Sequence, residues 1–350
     1  MKPSFDFQNR IRKCILIVLF PLVLTGIVLA QENNDFYDNT PARDLAGPRR
    51  IEVAGEIANP GPVELASLPI RSQIVRETRV ADGENRFLGS YRYDGFSLFD
   101  ILKERYVKKN NREEFKSVID LMVLVENRQG ERVVFSWGEI FYPTNLHRIM
   151  IATRVAPIIP TLTKEEWPLP EETRLIVAGD LATVRDIPAP SRIIVFSSPL
   201  SFKRSIAPNA LYSPAMSVFD AAGKKKQTIE SLPETLPLLD YSTVFYGRGK
   251  GFHGIQNFHG RPLREILRPL FPASESNLKR GYFIIAALDG YRITVSYGEL
   301  FNRNDFVEFL IVDRGLNADG GRFALFPAPD FFSDRAVKSI SDIHFQSVPD

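Results

Sequence analysis

The sequence holds one cysteine in 350 residues, at position 14, and only four histidines. Cys14 opens an N-terminal apolar run, so the chain beyond it can form no disulfide, no thiolate metal site and no cysteine nucleophile. A zinc or copper site would have to rest on those few histidines and on carboxylates not evident near them. No Gly-x-Ser-x-Gly nucleophile elbow occurs, although composition alone leaves a Ser-His-Asp triad open.

An excess of charge is missing as well: 44 Lys and Arg stand against 42 Asp and Glu. If residues 1–30 are removed, Lys2, Arg10, Arg12 and Lys13 leave with Asp6, so 40 basic residues face 41 acidic ones. Near-neutrality gives no support for nucleic-acid binding, and Lys224-Lys225-Lys226 reads as a solvated turn. Nor is there an apolar run of the roughly 20 residues that a membrane-spanning helix needs.

What the N-terminus has is a basic stretch, an apolar run over 14–29 and the small-residue ending Val28-Leu29-Ala30. That order predicts a signal peptide over 1–30, cleaved after Ala30, with an uncleaved membrane anchor as the alternative. The expected location is periplasmic or secreted, with no stable membrane insertion once the signal is gone. Residues 31–48 carry little apolar content and read as a flexible leader.

The 44% apolar side chains suffice for two ordinary domains, and 25 prolines with 22 glycines spread along the chain favour many short strands. An internal repeat sets the architecture. Tyr93-Asp94-Gly95-Phe96-Ser97-Leu98 matches Phe258-His259-Gly260-Arg261-Pro262-Leu263, a glycine turn before a short helix. Val133-Val134-Phe135-Ser136-Trp137-Gly138-Glu139-Ile140-Phe141 matches Ile293-Thr294-Val295-Ser296-Tyr297-Gly298-Glu299-Leu300-Phe301. Asp180, Arg185 and Ile193 keep the spacing of Asp330, Arg335 and Ile343. The repeat predicts one copy over 49–200 and a second over 207–346, joined by a linker rich in serine and proline. Glu139 and Glu299 recur in both copies, which favours a structural role in capping the turn after a strand. The two Asp-Arg pairs read as internal ion pairs or turns.

Each copy resembles the molybdopterin-binding domain of the sulfite oxidase family. The resemblance rests on the opening strand with Gly55-Glu56 and Asn59-Pro60-Gly61, on the two aromatic-x-Gly elements above, and on Leu288-Asp289-Gly290-Tyr291. It implies two tandem sulfite-oxidase-like, molybdopterin-binding-type α+β domains, β-rich with short helices at the edge. It also implies a molybdenum-ligating cysteine about a dozen residues before each aromatic-x-Gly element. Here those places hold Arg79-Val80-Ala81-Asp82-Gly83 and Tyr246-Gly247-Arg248-Gly249, which do not replace a soft thiolate in kind. Family members loaded with cofactor leave the cytoplasm folded by the twin-arginine route, whereas this signal has Arg10-Ile11-Arg12 and no adjacent arginine pair.

By resemblance, the Gly-rich stretch around Arg248, Lys250, His253 and His259 occupies the place of the cofactor pocket, with Asp289 and Tyr291 nearby. Its glycines would let backbone amides approach an anion; a surface hairpin is the other reading of the same residues. The function these features imply is an exported, non-catalytic binding or scaffold protein for a small anionic or pterin-like ligand, or for a protein partner. No cofactor is expected on that reading. The alternative is a molybdopterin-dependent oxidoreductase without a cysteine metal ligand.

Overall fold

A computed structural model describes residues 41–81, 84–160, 162–202, 212–316 and 321–349. The segment 1–30 expected to be a signal peptide, with Cys14, and much of the expected linker between copies lie outside these residues. Residues 158–166 separate from the body formed by 41–157 and 167–349; they contain a turn in which Lys164 N donates to Pro160 O at 3.0 Å.

The body is β-rich. Its first half runs β1 (Arg43–Asp44), β2 (Arg50–Gly55), β3 (Gly61–Glu64), β4 (Arg71–Ala81), β5 (Glu84–Ser97), α1 (Leu98–Leu102), β6 (Leu121–Asn127), β7 (Arg132–Ser136), α2 (Trp137–Phe141), β8 (Ile149–Pro157), β9 (Arg174–Val177) and β10 (Pro190–Ser197). The second runs β11 (Met216–Phe219), β12 (Lys225–Ile229), β13 (Leu239–Gly247), β14 (Gly251–Pro262), α3 (Leu263–Leu267), α4 (Glu275–Arg280), β15 (Gly281–Ala287), β16 (Arg292–Ser296), α5 (Tyr297–Phe301), β17 (Phe309–Asp313), β18 (Phe323–Pro327) and β19 (Ile340–Ser347).

The two halves repeat one strand order. One sheet of the first half reads β3-β2-β10-β6-β7 and one of the second reads β12-β11-β19-β15-β16. Each is antiparallel except where the sheet's earliest strand in the chain lies parallel to its latest, β2 with β10 and β11 with β19. The other sheets place β4, β5, β8 and β9 in the same order as β13, β14, β17 and β18. The matched sequence segments fall on equivalent elements, but Gly95 and Gly260 lie within β5 and β14 just ahead of α1 and α3, not in turns. Glycine is needed there because a Cβ on Gly95 or Gly260 would collide with the neighbouring strand at Ile151 or Ile311.

The central strands are apolar on both sides, and β6 and β15 are accordingly buried along nearly their whole length. Val123, Val125, Val133 and Phe135 share a core with Phe283, Ile285, Ile293 and Val295, so the largest apolar cluster draws on both halves. Met122, Leu124 and Val134 pack on Tyr282 and Ile284 from the opposite side of the same strands. Each such fully buried side chain contributes roughly 1.5–3 kcal/mol.

The stretch 41–48, read from sequence as part of a flexible leader, is held instead: β1 pairs with β8 and Leu45 is buried. One apolar side chain with a core to enter outweighs the polar composition around it. Among the described residues no helix is long and apolar enough to cross a membrane.

Candidate functional site

β7 and β16 both end in serine, and each serine caps the short helix that follows. Ser136 Oγ accepts from Glu139 N at 2.9 Å and Ser296 Oγ from Glu299 N at 3.0 Å. The glutamate side chains do not fold back on their own caps. Ser136 Oγ donates to Glu299 Oε2 and Ser296 Oγ donates to Glu139 Oε2, both at 2.7 Å, so each half's glutamate is bonded by the other half's serine.

Two arginines close the arrangement. Arg185 pairs with Asp180 at 2.5 Å and Glu139 at 2.8 Å and reaches Ser296 at 3.3 Å. Arg335 pairs with Asp330 at 2.6 Å and Glu299 at 2.5 Å and reaches Ser136 at 3.1 Å. Each guanidinium lies over a glycine of the other half: a Cβ on Gly298 would collide with Arg185, and one on Gly138 with Arg335. The Asp-Arg spacing and the recurrent glutamates are thus structural, as their recurrence suggests, but the contacts run between halves as well as within them.

Four carboxylates facing two guanidiniums leave this buried network two negative charges in excess. Burial, reinforced by Glu299 and opposed by Arg335, pushes the Asp330 carboxyl up to about 6. Asp180 is raised by burial against the pull of Arg185. Burial opposes the ionisation of Glu299, but Arg335 and Ser136 prevail and hold it below the usual carboxylate range.

One member of the network, Asp330, also lines a cleft of about 550 Å3, within the roughly 300–1,000 Å3 usual for ligand sites. The loops after α2 and α5 bring Asn145 and Arg148 from one half, Arg303 and Asn304 from the other. These loops are laced across the halves, Leu181 N donating to Asn302 O at 2.7 Å and Phe331 N to Tyr142 O at 2.8 Å. The walls are the outer strands β4, through Gln73 and Ile74, and β13, through Tyr241, Thr243, Val244 and Tyr246.

Two cations in this cleft are incompletely used. The Arg148 side chain lies along Gly179 and makes no hydrogen bond or ion pair among the described residues. Burial and the neighbouring Arg303 pull its pKa down, while Glu139 and Glu299 act the other way. Arg303 is only 8% exposed and grips Asp305 at 2.5 Å and 2.8 Å, yet its Nη1 has no partner. An unpaired guanidinium in a half-enclosed site is suited to a carboxylate, sulfonate or phosphate, which it binds through parallel N–H···O bonds.

The residues expected from sequence lie elsewhere. Arg248, Lys250, His253 and His259 are exposed on the β13–β14 hairpin. Arg248 stacks over Phe332 and Tyr142 at 5.4 Å and 5.9 Å, and its N–H donates to Asp334 Oδ2 at 2.8 Å. Tyr291 donates its hydroxyl to Asp334 O, so Arg248 and Tyr291 do meet around one residue. Asp289 turns the chain ahead of Tyr291, accepting from its N–H at 2.9 Å. His253 lies against Phe245 and His259 against Asp240; β14 runs on through Gly254, whose φ of 107° falls where the register with β13 shifts. Of the two readings of this stretch, pocket or hairpin, the structure shows a hairpin, with one polar cluster at its tip around Arg248.

The two places where the resemblance would put molybdenum's thiolate do not fit that metal. Arg79 and Val80 are exposed at the end of β4, residues 246–249 form the tip of β13, and neither stretch offers a thiolate.

Ser97, His147 and Asp100 do come together, but not as a triad. Ser97 Oγ lies 3.0 Å from His147 Nδ1 and 3.0 Å from Asp100 Oδ2, and Asp100 approaches the same Nδ1 at 3.6 Å. A relay needs serine and carboxylate on opposite imidazole nitrogens. Ser97 is fully buried and caps α1 through Asp100 N. Burial opposes ionisation of Asp100, yet hydrogen bonds from Arg71, Lys103 and Ser97 bring its carboxyl down to about 2.

No family model matches the chain, and no curated protein does. Sequence reasoning missed Arg148 and Arg303, although a signal existed. Aligned through the repeat, Arg148 falls opposite Glu308 and Arg303 opposite Pro143, so both cations stand where the copies disagree in charge.

Proposed function

We propose that this chain is an exported, non-catalytic binding protein that takes a small anionic ligand in the cleft between its halves. The observation that carries the reading is the unpaired guanidinium of Arg148 beside the half-used Arg303. Arg303 Nη1 is buried without a partner and Arg148 lies half-buried beside it, which costs free energy in the empty protein, and an anion that pairs with them recovers that cost on binding. The groups capable of acid-base work nearby are already spent: Glu139, Glu299, Asp180 and Asp330 are locked to arginine or serine. Export is supported by the composition of residues 1–30, and descent from a molybdopterin-binding domain by the repeated motifs.

Calorimetric titration with benzoate, citrate and pyrophosphate tests the assignment. At least one is expected to bind, and Arg148→Met is expected to weaken it by about tenfold to a hundredfold, the value of a charged hydrogen bond at roughly 1.5–3 kcal/mol. Equal binding by wild type and variant, or no binding by either, sinks the proposal.

A further inference from the structure

The cleft has two walls of equivalent position and opposite character. β4 and β13 each end the strand order of their sheet, so each has an outer edge that no described strand covers. β4 is guarded as natural edges are. It carries Arg71, Arg76, Glu77 and Arg79, and its edge is tied down where Thr78 N donates to Thr183 Oγ1 at 3.1 Å and Thr78 Oγ1 to Leu181 O at 3.0 Å.

β13 has none of this protection. Its nine residues include one charge, Asp240, and pair with β14 on one side only. No backbone among the described residues bonds its outer edge; the next anchoring bond, Arg248 N to Asp334, falls beyond the strand's end. Val244 and Tyr246 remain 53% and 39% exposed. A strand of this length presents an edge of about 30 Å, and an exposed, uncharged edge is a template for a further strand.

We propose that β13 is the docking edge for an extended peptide segment of a partner protein, and that Arg148, in the same cleft, receives a carboxylate of that peptide. This rests on the anion reading of Arg148 and names the class of ligand. Edge and cation line one cavity, so a single extended chain can satisfy the backbone of the first and the charge of the second. A second copy of this protein pairing through its own β13 would cover the edge but bring no carboxylate from that strand except Asp240.

The test uses the full mature chain and a fluorescein-labelled octapeptide of alternating valine and threonine ending in glutamate with a free carboxyl terminus. Two isomers carry backbone N-methyl groups on the odd or the even residues. Fluorescence anisotropy is expected to show binding of the parent, a loss of tenfold or more for one isomer, and a change under threefold for the other, because alternate N–H groups of an added strand face the template. Arg148→Met is expected to weaken the parent at least tenfold. Amidating the terminus, or replacing the glutamate by glutamine, shows which carboxylate it holds. Equal behaviour of the two isomers overturns strand addition, as does a dimer in sedimentation that the peptide does not dissociate. If the peptide fails to bind while benzoate, citrate or pyrophosphate still binds in an Arg148-dependent way, the peptide inference falls and the small-anion reading stands. If nothing binds, both fall.

Discussion

The same place in the two halves is filled by opposite chemistry. Under β4 and β5 of the first half lies a buried polar cluster: Tyr93 donates its hydroxyl to Glu77, Arg174 stands 3.4 Å from Glu77, and Asp186 accepts from Val177 N at 2.9 Å. In the second half the matching positions are Phe258, Phe245, Ala324 and Ala336. There Phe258 stacks on Phe326 with centroids 3.7 Å apart, and Phe245 leans on Phe258 at 5.6 Å. One backbone plan therefore tolerates a charged interior and an aromatic one. Where the halves meet, by contrast, both keep the same serine, glutamate, aspartate and arginine.

That contrast ranks the effects of mutation. Arg185 and Arg335 each pair with two buried carboxylates, and removing either guanidinium leaves more buried charge uncompensated. Arg185→Met and Arg335→Met are each expected to lose about 3–5 kcal/mol in urea unfolding, by similar amounts because their contacts are reciprocal. A loss below about 1 kcal/mol for one alone, against that expected range, would break the equivalence of the halves.

Much of this centre was legible. The recurrence of Glu139 and Glu299 marks a structural role, though the caps are made by Ser136 and Ser296 and not by the glutamates, and the five-residue Asp-Arg spacing marks an ion pair because it is local. What could not be read is that Glu299 bonds Ser136, 163 residues away. A capping pattern specifies which N–H a serine satisfies, but not which of two equivalent glutamates reaches its hydroxyl. Arg148 escaped for a related reason: its lack of a partner is a property of the assembled cleft. The β13–β14 hairpin drew attention through its glycines and histidines, which on an exposed ribbon gather no common site.

The pH dependence sharpens the comparison further. An acid whose folded pKa lies above its unfolded value holds its proton more tightly in the fold. Asp330, at about 6 when folded, weakens the folded state as pH rises from about 4 to about 6, by at most about 3 kcal/mol. Asp100 has the opposite sign: brought down to about 2, it supports the fold above the unfolded carboxyl range and loses that support as pH falls toward 2. Asp330→Asn should flatten the decline between pH 4 and 6 in a series of urea titrations while leaving the acid limb unchanged. Parallel profiles for wild type and variant would show that Asp330 is ionised throughout.

The smallest expected effect comes from the largest number of changes. Importing the second half's residues as Glu77→Phe, Tyr93→Phe, Arg174→Ala and Asp186→Ala replaces a polar cluster whose satisfaction is incomplete, since Arg174 Nε and Asp186 Oδ2 have no partner. Exchanging a buried ionic set for apolar side chains is often neutral or stabilising, whereas deleting one member costs about 3 kcal/mol or more. The fourfold variant should therefore unfold within about 1 kcal/mol of wild type, the size of a tolerated repacking, while Arg174→Ala alone drops by about 3 kcal/mol. If the fourfold variant falls as far as the single one, the cluster is required by the first half in a way the aromatic half does not share. The interior would then be asymmetric by function, with Glu77 lying three residues along the same strand from Ile74 in the cleft wall.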